Sequence, residues 1–597
     1  MFKIITELFS LLTPSQRRKF FVFQILIIIM TSAEIISIVS LAPFMALIGD
    51  ISILERDNFL ATLYIKSNLQ VYEFVFYVGL AVLSTLTIST IVSVIITWRL
   101  SMFAAKIGTE IADRLYTYYL KQNWLFHTRE SSFKLTMNIT QEAHRVGTEI
   151  MAPLMEINSR IVLVFFIMLG MLLYDPMVVI VGFVIFAMAY IFLFKSVRKH
   201  LEKSNDLYEN FLIKRFKLLN DGFGGIKDIL LKGLSGNFIK QFNITSNKLA
   251  HSKGTIVGVS RVPRYLMELL SFGSMIVLVL YLTITTQGNL SLLLPILSVY
   301  ALAGLKLLPA LQGIYGNAAV IKGNIGAYLS IREDLENIKY YKTSMEDNND
   351  QVWSKNNEIK LNKVTFLYPN KTRPALEDIS LTIKPNTFVG FVGTSGSGKS
   401  TLVDVIIGLI RSQKGEVIID GKPLTQQNLK SWQNKIGFVP QTIFLTEDSI
   451  AENVAFGLPE DQIDITQVKK ALKLAHLEDF VSKLENGINT KVGERGVQIS
   501  GGQRQRIGIA RALYYNAEIL VFDEATNALD GITEKIIMDA IHDFTGKKTL
   551  IMIAHRIKTI QNCDEIFMME KGQIVDKGTY KNLLETSEQF KKMSYNE

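Results

Sequence analysis

Six apolar runs, near residues 21–47, 72–98, 154–173, 177–195, 265–285 and 291–311, constrain this chain more than anything else in it. A helix needs about 20 mainly apolar residues to cross the hydrocarbon of a bilayer, so each run reads as one membrane span. Tyr174-Asp175-Pro176 leaves room only for a hairpin between the third and fourth, and Gln287-Gly288-Asn289 does the same between the fifth and sixth. About 55 residues separate the second and third runs, and about 70 separate the fourth and fifth. Both long connections are polar and basic with helical periodicity, as in Ile111, Leu115, Tyr118, Tyr119 and Leu120. They read as membrane helices continued into the cytoplasm.

Charge sets the orientation. The chain carries a formal +9, which in a soluble protein would raise the question of nucleic acid. Here much of the excess sits between apolar runs, at Lys195, Arg198, Lys199, Lys203, Lys214, Arg215, Lys217, Lys227 and Lys232. Cytoplasmic connections collect Lys and Arg in this way, so no nucleic-acid partner is expected. Both termini and both long connections fall inside, and the mixed-charge stretch 49–71 (Asp50, Glu55, Arg56, Asp57, Lys66) outside. Forty-eight per cent hydrophobic residues and a mean hydropathy of +0.24 agree with a large membrane-embedded part. The single cysteine, Cys563, rules out an intrachain disulfide.

Phe2, Ile5, Leu8, Phe9 and Leu12 give the amino terminus an amphipathic helical pattern, followed by Arg17-Arg18-Lys19. A signal peptide has the same charge-then-apolar order, but this apolar run continues to about Ile48 without a small-residue cleavage pattern. An interfacial elbow helix over 1–20 leading into a retained span fits better. Residues 21–335 then form the membrane domain and 336–357 a polar linker. From 358 to 597 strands and helices alternate: Glu358–Val364, Thr387–Val392, a helix from Lys399, Gly415–Ile419, Ile436–Val439, Ile519–Asp523 and Thr549–Ile553. That alternation implies an α/β domain around a mainly parallel sheet.

Within it, Gly393-Thr394-Ser395-Gly396-Ser397-Gly398-Lys399-Ser400-Thr401 lies between an apolar strand and a helix. Glycines let backbone N–H groups converge on phosphate oxygens, and the helix start adds positive potential. Lys399 would reach the β- and γ-phosphates and Ser400 would ligate Mg²⁺. A chance glycine-rich loop rarely has strand, Lys, Ser and helix all in register. Ile519-Leu520-Val521-Phe522-Asp523-Glu524 is an apolar strand ending in two carboxylates. Asp523 would hold Mg²⁺ and Glu524 would polarise the attacking water. A buried strand meeting a capped turn is the bland alternative, and the phosphate loop weighs against it.

Ile499-Ser500-Gly501-Gly502-Gln503 resembles the signature motif of ATP-binding-cassette (ABC) proteins, with Ile at its first apolar position. Pro440-Gln441 is similar to the Q-loop, Asn527-Ala528-Leu529-Asp530 to the D-loop, and His555 to the switch histidine. Tyr368 matches the adenine-stacking aromatic, and Thr490–Gly496 a segment typical of exporters. Asn527 departs from the family's usual Ser. The resemblance covers roughly 356–590, and the order of six spans and then one cassette extends it over the chain. It implies a six-span α-helical membrane domain followed by an α/β phosphate-loop ABC ATPase domain. It implies ATP and Mg²⁺, with Gln441 as a further metal contact and Glu524, His555 and Gln441 in catalysis. It also implies a dimer, because Ser500, Gly501, Gly502 and Gln503 would bind the nucleotide held by the other subunit. A second copy is the economical partner, and a related half is the alternative. Segments near Asn123–Arg129 and Asp221–Lys232 would meet the cassettes.

Ionisable groups inside spans are costly and usually functional. Glu34 lies midway along the first run and Lys306 in the sixth, followed by Pro309. Arg264 with Glu268, and Glu156 with Arg160, lie near run ends, where snorkelling or an i,i+4 pair accounts for them as well. Three stretches resemble bacterial lipid-linked oligosaccharide flippases: Glu34–Ser37 through Ala42-Pro43-Phe44, Val262-Pro263-Arg264 with Glu268, and Ala303–Pro309. That resemblance implies an inner-membrane protein whose Glu34, Arg264 and Lys306 line the path of a pyrophosphate-bearing glycolipid. The alternatives are an exporter of peptide, lipid or drug-like cargo, a gated channel, and a non-transporting cassette protein, which the six runs argue against. No Cys/His peptidase-like segment lies before the first run, which weighs against a leader-processing peptide exporter.

Overall fold

The structure, a computed structural model, describes residues 2–49, 51–55, 59–174, 176–285, 290–341, 353, 357–369, 371–493, 498–524, 531–554 and 556–595. It divides into two compact units, Met1–Gln122 with Glu130–Ser344, and Asn123–Arg129 with Met345–Glu597.

The first unit is helical. The amino-terminal helix ends at Leu11, short of the expected boundary at 20. Thr13 and Gln16 exchange backbone-to-side-chain bonds of 2.8 and 3.2 Å, a capping box with Pro14 at the first helical position, where its missing N–H costs nothing. The next helix therefore starts at Pro14 and runs to Gly49. Helices Val71–Leu120, Ala152–Tyr174, Pro176–Gly224, Ser235–Thr285 and Leu290–Tyr341 follow, so each apolar run lies within a single helix. At 1.5 Å per residue, the 50 residues of Val71–Leu120 reach about 75 Å, well over twice the hydrocarbon thickness. Such a helix must project beyond any bilayer it crosses. Three segments, Pro14–Met45, Val71–Leu120 and Ser132–Leu172, are long and apolar enough to span among the described residues.

Between the second and third runs the backbone widens into π-helical turns over Asn138–Glu142 and Val146–Met151. Gly147 explains how close this segment packs. A Cβ there would stand 2.6 Å from the Ala104 carbonyl oxygen and 2.8 Å from the Gly108 nitrogen, both backbone atoms.

The second unit is built on two sheets. Strands β1 (Ile359–Phe366), β2 (Leu376–Ile383), β3 (Phe388–Gly393), β4 (Lys414–Ile419), β5 (Lys422–Pro423), β6 (Ile436–Val439), β7 (Ile519–Asp523), β8 (Thr549–Ile553), β9 (Glu565–Glu570) and β10 (Gln573–Gly578) appear in that order. The six-stranded sheet has the order β10-β9-β3-β8-β7-β6, parallel except where β10 meets β9. The second sheet, β2-β1-β4-β5, is antiparallel and lies outside the mainly parallel architecture expected from sequence. Buried apolar clusters cover both faces of the larger sheet: Phe388, Leu520 and Phe522 point to one, Phe391, Val521 and Ile553 to the other. Two expected boundaries move. The stretch read as a linker from 336 is helical to Tyr341. Trp353, read as linker too, is buried in the cassette core against Trp432 and donates to Ser431 Oγ at 2.8 Å. Leu125 packs against the same core.

Candidate active site

Register brings the motifs to one edge. Phe391 and Asp523 both pair with Ile553, and Phe522 pairs with Val439. The carboxyl ends of β3, β6, β7 and β8 therefore finish together, the edge at which open α/β sheets take ligands. Gly393, Gly396 and Gly398 adopt φ of +147°, +78° and +103°. At Gly398 a Cβ would also stand 2.5 Å from the Ala375 carbonyl oxygen, so side chains are excluded twice over. The loop closes around Lys399, whose Nζ donates to the Gly393 and Thr394 carbonyls at 2.8 and 3.0 Å. Burial pushes its ammonium pKa down, and the nearby Glu524 and Asp523 carboxylates pull it back up. Thr394, Ser395, Gly396 and Ser400 are exposed, Ser397 and Thr401 buried. Tyr368 stands edge-on to Phe366 with its hydroxyl 3.2 Å from Thr401 Oγ1, so the aromatic flanks the loop.

Glu524, the first residue beyond β7, takes φ +49°. Non-glycine residues hold such a backbone at a cost on the order of 1 kcal/mol, commonly at functional sites. Its carboxylate accepts a bond from Gln441 Nε2 at 2.5 Å, so the Q-loop amide and the acid that follows β7 meet as a pair. Ser500 caps the helix Gly501–Tyr514 through a capping box with Gln503. Ser500 and Gly501 are exposed, while Gly502 is buried. No hydrogen bond among the described residues joins Ser500–Gln503 to the phosphate loop of the same chain. His555 and the D-loop stretch Asn527–Asp530 lie outside the described residues.

Residues 376–527 match the family model for ABC transporters. The chain carries an ABC transporter ATPase domain on an exporter-type fold. It is 28% identical over 499 residues to an ATP-dependent lipid A-core flippase of Photorhabdus laumondii, covering 81% of this chain and 82% of that one. A protein of the same name from Escherichia coli O6:K15:H31 is 28% identical over 509 residues, 85% and 86% of the two chains. A bacterial Atm1-family ABC exporter solved with ATP bound superposes with a TM-score of 0.78 at 21% identity, covering 98% and 99%. The second unit thus carries an ABC-type ATPase domain, with ATP as substrate and Mg²⁺ as its cofactor.

The donors fit that ion. Ser400 supplies a hydroxyl, Asp523 a carboxylate and Gln441 an amide oxygen, all hard ligands, and Mg²⁺ characteristically takes one or two protein groups plus phosphate oxygens. Among the described residues there is no cluster of three or more His, Cys, Asp or Glu that would hold a metal alone. Asp404, on the helix Lys399–Ile406, was not singled out by motif. Burial, and then the charge of Asp523, push its carboxyl up to about 6 from 3.8. Below pH 3.8 folded and unfolded forms are both protonated; above about 6 both are ionised and the folded form carries the full penalty. Asp404→Asn is therefore expected to stabilise the cassette by about 1–2 kcal/mol above pH 6, after allowing for solvent screening. The gain should fade towards pH 4. Thermal unfolding of the full chain at pH 8 and pH 4.5, without nucleotide or Mg²⁺, tests this. An equal shift at both values would contradict it.

In the membrane unit, Glu34 and Lys306 line a single cavity of about 470 Å³. Its other polar wall is made of hydroxyls: Ser37 from the first long helix, and Ser89, Thr90, Ser93 and Thr97 from the second. The four-residue spacing of Ser89, Ser93 and Thr97 along the second apolar run was the available sequence signal. Arg264 does not join them. It is 62% exposed and pairs with Glu268 at 2.9 Å, one turn along its own helix. Glu156 bonds Asn317 at 3.0 Å and is not ion-paired with Arg160.

Proposed function

We propose that this chain flips or exports an amphipathic lipid whose head group is anionic, best matched by a lipid-linked oligosaccharide, at the expense of ATP. The observation that carries the cargo assignment is the placement of Glu34 and Lys306 on one hydroxyl-walled cavity among apolar helices. An ammonium at bilayer depth costs about 2.5–3.5 kcal/mol on insertion scales, and an anionic head group would offset that. Relatives named as lipid A-core flippases support a lipid cargo. The setting proposed is a bacterial inner membrane, with the cassette in the cytoplasm.

In this reading the loop Gly393–Thr401 holds the nucleotide phosphates, Lys399 neutralises them and Tyr368 stacks on the base. Ser400, Gln441 and Asp523 hold Mg²⁺. Glu524, aimed by Gln441, accepts the proton of the attacking water, and His555 completes the site. The working unit is a homodimer, with Ser500–Gln503 of each copy closing on the nucleotide of the other. Exposed apolar side chains support a partner: Phe223, Leu230 and Leu231 are 75%, 66% and 84% exposed in the single chain, in the segment 221–232 expected to meet a cassette.

Substitution at Lys306 tests the cargo assignment. Lys306→Met should abolish flipping of a lipid-pyrophosphate glycan in proteoliposomes while ATPase in detergent survives, and Lys306→Arg should retain most of it. Normal flipping and normal stability in Lys306→Met would leave Lys306 a snorkelling residue with no cargo role.

A further inference from the structure

Glu34 and Lys306 share a cavity, yet no ion pair links them. The Glu34 carboxylate instead accepts a hydrogen bond from Ser93 Oγ at 3.0 Å, across from the neighbouring helix Val71–Leu120. No carboxylate lies within pairing distance of Lys306 among the described residues. This arrangement needs a reason. In a cavity walled by apolar helices, opposite charges that can reach one another ordinarily pair, because attraction grows as the dielectric falls. A hydroxyl donor that fixes the carboxylate elsewhere changes that balance.

We propose that Ser93 is a positioning residue that restrains Glu34 and keeps Lys306 open for the anionic group of the cargo. Ser93 touches no cargo in this account and acts through Glu34. The cargo phosphate then faces Lys306 while Glu34 stays with Ser93, the arrangement seen here. Ser93 sets the balance between the two partners of Glu34, and through it the affinity for anionic head groups over neutral ones. The inference rests on the reading of Lys306 given above.

The test reads stimulation of ATPase in proteoliposomes by two probes, a short-chain isoprenyl-diphosphate sugar and an uncharged glycosyl diacylglycerol. Inorganic pyrophosphate added in solution separates a lipid head group from a free anion. Ser93→Ala should raise the half-stimulating concentration of the diphosphate probe about tenfold, as a competing pair worth about 1.4 kcal/mol would. The response to the neutral probe should change far less. Adding Glu34→Gln to Ser93→Ala should restore wild-type affinity, and Ser93→Thr, which keeps the hydroxyl, should behave as wild type. An unchanged Ser93→Ala, or a loss that Glu34→Gln fails to rescue, overturns the proposal. If Lys306→Met abolishes the response while Ser93→Ala is silent, only this inference fails. If Lys306→Met is silent too, or the diphosphate probe never stimulates the wild type, the anionic-cargo reading fails with it. Stimulation by free pyrophosphate equal to that by the lipid would make the site one for soluble anions and remove the lipid assignment.

Discussion

Purified Glu524→Gln protein is expected to bind ATP as the wild type does and to hydrolyse it about 10²–10⁴-fold more slowly. The substitution is nearly isosteric, and the left-handed backbone at Glu524 is set by the turn rather than by the carboxylate. The Gln441 amide that bonds Glu524 can donate to the amide oxygen of the substituted residue in the same geometry, though more weakly than to a carboxylate. Geometry is therefore preserved, and what disappears is the capacity to take a proton from water. Protein carrying the change should accumulate in the ATP-closed dimer. Near-normal hydrolysis would mean that another group serves as the base, and would return Glu524 to a structural role beside β7.

The second large effect concerns how the sites are shared. Dimers carrying Lys399→Ala on one chain and Ser500→Arg on the other concentrate both defects in one composite site and leave the second whole. Dimers carrying both changes on a single chain damage both sites. Lys399 is buried within its loop, whereas Ser500 is a surface cap, so Ser500→Arg should leave the chain folded. The first arrangement should keep a substantial fraction of turnover and the second should lose nearly all of it. Equal loss in both would show either that sites are not shared or that both must be whole. Dimers with one Lys399→Ala chain and one unmodified chain separate those two outcomes.

Residue pattern alone reached β1, β4, β6, β8 and, most plainly, β3 and β7, which are short, almost wholly apolar and punctuated by chemistry, but not β9, whose apolar residues are flanked by Glu565 and Glu570. Phe388–Gly393 and Ile519–Asp523 are both buried almost throughout. It missed β2 because Leu376–Ile383 carries Glu377 and Asp378 in succession. Asp378 also takes φ +53° at a register shift against β1, which breaks the two-residue alternation. Strand β10 escaped for the opposite reason, since it is half-exposed along its length and lacks an apolar run. In the membrane unit the helices were legible and the π-helical turns were not, because hydrophobic spacing does not distinguish one widened turn within a long helix. Glu34 and Lys306 stood out singly as charges in apolar runs. That they face one cavity, while Arg264 turns aside to Glu268, depends on helix rotation and packing that no single run encodes.

Leu125 offers a consequence for how such a protein is made and recombined. The segment Asn123–Arg129 belongs to the cassette's compact unit, with Leu125 against its core, although it is translated far upstream of the strands it packs on. At about 5–20 residues per second, it waits roughly half a minute to a minute and a half for the last of the cassette to emerge. The unit of exchange between relatives is accordingly discontinuous. A chimaera that grafts a foreign cassette at residue 345 inherits a mismatched plug, and one that transfers residues 123–129 with the cassette does not.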